Sequence, residues 1–232
     1  MDISTATALV TGANRGLGRA LAQELTARGA TVWAAARRPE QIDLPGVKAI
    51  RLDVTDPESV AAAAEAAGDV NLLINNAGTS TGADPLTGDW ADLRLELDTH
   101  YLGSLRVIRA FAPVIEARGG GSILNILSVL SWIGFPTVGA YAAAKSAAWS
   151  MTNTVRQQLA PSGITVSALH VGYMDTDMAR HVTQPKTAPA DVARAAVDGI
   201  AAGSPEIVVD DLSRQVQAGL AGGVAALYPQ LG

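Results

Sequence analysis

The chain has 232 residues, enough to bury one good core and short for two domains joined by a linker. Hydrophobic residues make up 48%, aromatics 4% and charges 17%, which excludes a disordered chain and suits tightly packed Ala, Val and Leu layers. A formal net charge of -5 without a large Lys/Arg cluster argues against nucleic acid as a partner, and the lack of cysteine excludes disulfides, thiolate metal sites and cysteine nucleophiles.

The chain starts Met1-Asp2-Ile3-Ser4-Thr5, acidic and without a basic segment followed by an apolar run, so a cytoplasmic protein is expected. Short β-rich runs then alternate with Ala-rich helical segments. The pattern predicts strands at Ala6 to Thr11, Thr31 to Ala36, Val47 to Asp53, Val70 to Asn75, Ser122 to Ser128, Ile164 to His170 and Glu206 to Val209. Helices are predicted near Arg15 to Arg28, Pro57 to Ala67, Trp90 to Arg118, Val138 to Leu159 and Ala190 to Ala202. The alternation implies an α/β fold: one Rossmann-type domain over residues 1–232, a doubly wound parallel sheet of about seven strands with helices on both faces. Asp175 to Pro189 mixes Thr, Asp, His, Gln, Lys and two prolines and reads as a loop over a site, so residues 173–189 are expected to form a substrate loop. The apolar stretch Gly219 to Tyr228 is about half the roughly 20 residues a membrane-spanning helix requires. It reads as a packed tail, and no membrane partner is expected.

Thr11-Gly12-Ala13-Asn14-Arg15-Gly16-Leu17-Gly18 sits where the first strand becomes the first helix. Its glycines permit a tight turn and close backbone approach, so that a pyrophosphate can rest on the helix N-terminus. A dinucleotide domain specific for NAD would carry Asp or Glu at the end of the second strand to accept from the ribose 2′-hydroxyl. Here that strand ends Ala34-Ala35-Ala36, followed by Arg37-Arg38. Each arginine taken singly reads as a solvated surface cation. Arg15 and Arg37, converging from separate loops, instead favour a 2′-phosphate and hence NADP(H).

Tyr141 and Lys145, four apart on a predicted helix, share a face. A free tyrosine titrates near pH 10, so acid/base work at neutral pH requires nearby positive charge, which Lys145 can supply. Ser128 ends a strand at the carboxyl edge, where open α/β sheets place their ligands. An amphipathic helix with a half-buried ring and a snorkelling lysine is the other reading of the pair alone.

At this point the chain resembles the short-chain dehydrogenase/reductase family over nearly its whole length. The resemblance rests on Thr11 to Gly18, Asp53-Val54 after the third strand, Asn75-Asn76-Ala77-Gly78 after the fourth, Ser128, Tyr141 with Lys145, and Gly172 to Thr176 after the sixth. It implies Tyr141 as general acid in reduction and base in oxidation, Ser128 as orienter of the substrate oxygen, and Lys145 as both tuner of Tyr141 and ligand of the nicotinamide ribose. It further implies coenzyme contacts at Gly12, Asn14, Arg15, Gly16, Leu17, Gly18, Arg37, Asp53, Val54, Asn75, Ala77, Gly78, Gly172 and Thr176. The family's NADP-preferring members carry basic residues where Arg15 and Arg37 stand.

Three positions depart from the family pattern. His100 stands where an asparagine usually helps hold a relay water, so either a relay with altered pH dependence or a buried structural histidine is expected. Val171-Gly172 replaces Pro-Gly, which predicts a less rigid nicotinamide loop, and Leu127 replaces a serine. Leu130, Trp132, Ile133, Phe135 and Val138, with Tyr173, Met174 and Met178, suggest an apolar cleft for a hydrophobic ketone, aldehyde or secondary alcohol. A catalytically silent NADP(H)-binding regulator, or related chemistry without net hydride transfer, are the alternatives. The long apolar helices predict self-association, and the resemblance implies a homodimer or homotetramer. No metal site is expected.

Overall fold

The first strand decides which helices lie where. Along β1 (Thr7–Thr11) Ala8 and Val10 enter one buried cluster and Leu9 the other, as the two-residue period of a strand dictates. The chain continues through β2 (Thr31–Ala36), β3 (Lys48–Arg51), β4 (Leu72–Asn75), β5 (Gly121–Ile126), β6 (Ile164–His170) and β7 (Glu206–Val208); β2, β4, β5 and β6 divide in the same way, while the edge strands β3 and β7 give only Ile50 to one cluster and Ile207 to the other. A computed structural model, which describes residues 1–231, pairs these strands in parallel in the order β3-β2-β1-β4-β5-β6-β7.

With both faces apolar, the sheet needs helices on each side. On one, α1 (Gly16–Ala27) and α6 (Pro189–Ala202) bury Leu17, Leu21, Leu25, Val192 and Ile200 against Val10, Ile74 and Leu124. On the other, α2 (Pro57–Ala66), α4 (Ser104–Ala117) and α5 (Gly139–Leu159) bury Val60, Val107, Phe111, Ile115 and Met151 against Leu9, Leu73 and Ile123. The chain moves outward from β1 to β3 and returns to β4, so strand order reverses between β1 and β4. A crevice opens there at the carboxyl ends of the strands.

The expected helix from Trp90 to Arg118 is three pieces: α3 (Trp90–Leu97), a π-helical turn (Asp98–Gly103) and α4. The wide turn sits where Gly103 closes on the loop after β3, since a Cβ there would lie 2.8 Å from Val54 Cγ2. Arg106 holds the same corner by donating to Asp98 at 2.8 Å and to the Val54 carbonyl at 3.3 Å. The expected packed tail also needs correction. It forms the end of α7 (Asp211–Gly219) and α8 (Gly223–Leu227), but residues 221–226 are exposed because no sheet face is left for them to cover. The tail is tied down instead at Tyr228, whose hydroxyl accepts the Gly134 N–H at 2.6 Å. Pro189 already opens α6, so residues 173–188 form the loop. Its ends are joined by Thr187, which donates to the Tyr173 carbonyl at 2.8 Å and accepts from Asp175 N at 3.0 Å. Among the described residues no helix is long and apolar enough to cross a membrane.

Candidate active site

At the end of β1 the backbone turns through Gly12 (φ 68°) and Gly16 (φ 54°), left-handed conformations that strain any side chain. Arg15 caps α1 without a side-chain bond, so first-turn N–H groups remain for a ligand. Gly18 serves packing, because a Cβ there would collide with the Gly12 carbonyl and stand 2.5 Å from Asn76 Nδ2. Leu17 turns its side chain into the core, which leaves only its backbone to meet a coenzyme. Across the crevice, a Cβ on Gly16 would lie 3.4 Å from Thr176 Cγ2, so the glycine loop and Thr176 form opposing walls. A group with a pyrophosphate fits this cradle.

Thr11 and Asn76 hold the two sides of the crevice together. The Thr11 hydroxyl accepts the N–H groups of Asn76 and Ala77, each at 2.9 Å, and donates to the Ile74 carbonyl at 3.3 Å. Asn76 Nδ2 donates to the Thr11 carbonyl at 2.8 Å. Asn75 is turned the other way. Its Nδ2 donates to Asn125 Oδ1 at 2.9 Å, and Asn125 in turn donates to Thr152 at 2.9 Å, so its amide belongs to the sheet interior. Gly78 has no room for a Cβ, which would stand 2.7 Å from Cε1 of His100.

The other coenzyme candidates lie around the rim. Arg15 Nη1 is 3.4 Å from Asp177 Oδ2, an exposed pair of the kind worth about 0 to 1 kcal/mol. Arg37 is exposed and has no acidic partner among the described residues. Asn14 Nδ2 donates to Gln41 Oε1 at 3.1 Å, and Asp53 Oδ1 accepts from Thr55 N at 3.0 Å beside buried Val54. Gly172 N donates to Asp210 Oδ2 at 2.5 Å, an anchor for the loop that follows Val171.

Ser128, Tyr141, Lys145 and His100 come together at the carboxyl edge of β4 and β5. Ser128 Oγ accepts the Leu130 N–H at 3.1 Å, which leaves its own hydroxyl proton to donate. Lys145 lies one turn after Tyr141 on α5, buried, with Nζ donating to the Ile126 carbonyl at 2.8 Å and 5.5 Å from the Tyr141 ring. Burial pushes the Lys145 ammonium down to about 8, with the Glu96 carboxylate opposing. Burial also raises the Tyr141 phenol above its usual value. The Ser128 hydroxyl lowers it and the charge of Glu96 raises it further. His100 meets Tyr141 edge to face, ring centroids 5.0 Å apart.

Three supporting residues escaped the sequence reading. Glu96, fully buried, lies one turn before His100, and its Oε2 is 3.3 Å from His100 Nε2. His170, at the end of β6, places Nδ1 3.2 Å from the Ser128 carbonyl and 3.0 Å from Ser131 Oγ, with Trp132 stacked on its ring at 3.7 Å. Burial pushes His170 down to about 4, so this strut behind Ser128 is neutral. Asp210, which holds Gly172, is the third. The spacing of Glu96 and His100 was a readable signal. The other two contacts join residues far apart in the chain. Trp132, stacked on His170, also borders a groove of about 900 Å³ that Ile133 and Phe135 line with Tyr228 and Leu231.

A family model described as short chain dehydrogenase matches residues 6–187. The NADPH-dependent 1-acyldihydroxyacetone phosphate reductase of Schizosaccharomyces pombe is 34% identical over 177 residues, 72% of this chain and 60% of that protein, so the chain spans about three-fifths of its length. The 3-oxoacyl-(acyl-carrier-protein) reductase FabG of Escherichia coli K12 is 32% identical over 203 residues, 81% of each chain. A short chain dehydrogenase from Burkholderia cenocepacia J2315, solved in complex with NADP, superposes with a TM-score of 0.95 at 36% identity, covering 100% of this chain and 99% of that one. Another, from Burkholderia phymatum in complex with NAD, superposes at 0.85 with 25% identity and 95% of each chain covered.

Proposed function

The chain belongs to the short-chain dehydrogenase family of oxidoreductases, and on that premise we propose that it transfers hydride between NADP(H) and the carbonyl or secondary alcohol of a small hydrophobic ketone or aldehyde. The observation that carries this reading is the convergence of Ser128, Tyr141 and Lys145 beside a glycine crevice suited to a pyrophosphate. The coenzyme, when bound, supplies or accepts the hydride. In reduction Tyr141 donates a proton to the oxygen that becomes the alcohol, and in oxidation its phenolate takes that proton back. Ser128, with a free hydroxyl proton, holds the same oxygen. Lys145 offsets the burial that opposes phenolate formation and would hold the ribose of the nicotinamide. The phosphate preference rests on Arg15 and Arg37, on the absence of an acid at the end of β2, and on the NADP-bound relative. Loop 173–188, with Tyr173 and Met178 exposed on it, would form the apolar entrance.

A panel of ketones, aldehydes and secondary alcohols followed by nicotinamide absorbance tests the reading. Turnover is expected on apolar members of the panel. If every substrate is refused while NADPH binds tightly, the silent-regulator reading takes its place.

Self-association belongs to the same proposal. A groove of about 470 Å³ lined by Tyr101, Leu105, Met151 and Val155 runs between the helices around the π turn and α5, with Leu97 and Leu102 exposed beside it. Light scattering at micromolar concentration should give a dimer or tetramer mass, and a strictly monomeric mass would remove this part of the reading.

A further inference from the structure

Along β6 Ile164, Val166, Ala168 and Leu169 are buried, and the strand ends in an imidazole buried as deeply, His170. Its Nε2 has no hydrogen-bond partner and stands 3.9 Å from Glu206 Oε1. Leaving a buried polar atom unpaired costs about 1 to 3 kcal/mol, which an apolar residue would avoid. What the imidazole adds lies at Nδ1, 3.2 Å from the Ser128 carbonyl and 3.0 Å from Ser131 Oγ. The Ser131 hydroxyl donates its one proton to the Ser128 carbonyl, so toward Nδ1 its oxygen can only accept, as the carbonyl does. Both partners therefore place the proton of the neutral ring on Nδ1.

Backbone bonds bracket this contact. Leu127 N donates to the Leu169 carbonyl at 2.8 Å and Val129 N to the Val171 carbonyl at 3.0 Å, so the bond from His170 to Ser128 crosses between two rungs of one ladder. Trp132 fixes the plane of the imidazole, stacked within 13° of it. Two residues beyond His170 stands Gly172, which Asp210 anchors at the start of the segment read as the nicotinamide loop. His170 thus joins the serine that holds the substrate oxygen to the segment that would lie beside the nicotinamide.

We infer that His170 is a positioning residue for hydride transfer, whose Nδ1–H pins the Ser128 carbonyl and so keeps the Ser128 hydroxyl in a fixed place relative to the loop that begins at Gly172. The inference rests on the reading of Ser128 as the group that orients the substrate oxygen. His170 acts through Ser128 and neither gains nor loses a proton in the reaction. The Ser128 carbonyl is the first acceptor of the tight turn Val129–Ser131, taking Ser131 N at 3.0 Å. Held from behind by His170, that turn cannot roll, and Ser128 Oγ keeps the one orientation in which Leu130 N–H occupies its lone pair and its proton is free. Misplacing a group at a reacting centre by about 1 Å can slow a reaction about 10²-fold.

Two substitutions part this role from simple packing. His170→Phe keeps a ring against Trp132 and removes the N–H, whereas His170→Asn removes the ring and keeps an N–H two bonds from Cβ, where Nδ1 stands. The assay is single-turnover NADPH oxidation with enzyme in excess and cyclohexanone as probe, or the fastest ketone of the panel if cyclohexanone is refused. The rate should fall about 10- to 100-fold in His170→Phe and no more than about threefold in His170→Asn. Amplitude and NADPH affinity should hold in both, since a folding defect lowers the amplitude and not the rate. In a Ser128→Ala background His170→Phe should cost nothing further. Nitrogen-15 NMR of the coenzyme-free protein should show His170 in the Nδ1–H tautomer. A full rate in His170→Phe with a slow His170→Asn marks the ring as packing and overturns the inference. An Nε2–H tautomer, or an equal loss with and without the Ser128 hydroxyl, overturns it as well. If His170→Phe does not fold, His170→Leu takes its place with the same loss expected relative to His170→Asn. A parent that turns over no ketone defeats the reductase reading and the inference with it, while an active parent with an undiminished rate in His170→Phe defeats the inference alone.

Discussion

Tyr141→Phe should lose roughly 10²- to 10⁴-fold in turnover, the span that general acid catalysis contributes, and should keep its coenzyme affinity. Only a hydroxyl is removed, and the ring keeps its edge contact with His100 and its place one turn before Lys145. The separation of the two effects is what identifies the role. A fold defect would weaken coenzyme binding as well, because α5 also holds Lys145 and packs Met151 and Val155 against the sheet. Stopped-flow turnover and a coenzyme fluorescence titration on the same preparation measure both quantities. Full activity in the variant would falsify the mechanism.

Replacing Arg15 and Arg37 together with alanine should erase the preference for NADPH over NADH. Charge-assisted bonds of this kind contribute about 1.5 to 3 kcal/mol each, roughly 10- to 150-fold in affinity per arginine. Both side chains are exposed, so salt screening places the effect near the lower end. Arg15 has to leave Asp177, a weak surface partner, to reach a phosphate. Affinity for NADH should change little, since it has no 2′-phosphate for either arginine to hold. Equal affinity of the parent for both coenzymes, or an undiminished preference in the double variant, would overturn the assignment.

Much of this architecture can be read from residue order because local and global signals agree. Thr31 to Ala36 and Ile164 to His170 are unbroken apolar-rich runs just after Gly29 and Gly163, and both strands occur end to end as the pattern predicts. β5 stops at Ile126 and not at Ser128, because the Ser128 side chain caps the Leu130 N–H and turns the chain. Periodicity cannot register the wide turn at Asp98–Gly103, since every residue there is compatible with a helix and the cause lies across the chain at Val54. Glu96 offered one legible signal, its spacing of four from His100, but not its burial. A single carboxylate on a short charged helix reads as solvated, and only tertiary placement shows it sealed against His100 and Thr81. Asp210 and His170 act on Gly172 and Ser128 from strands and turns that sequence spacing does not connect.

The reversal of strand order beside β1 also shapes how the molecule is made. Thr7 pairs with Thr31, but Ala8 must wait for Leu72, so β1 has only one neighbour until four strands have been synthesised. Such distant pairing slows folding, because the loop between the partners has to be closed before their contacts form. Thr11 can bind Asn76 and Ala77 only once β4 is in place, so the turn after β1 is held by residues 65 and 66 positions further along the chain. That side of the nucleotide cradle is therefore fixed only when the chain has crossed back over the point where strand order reverses.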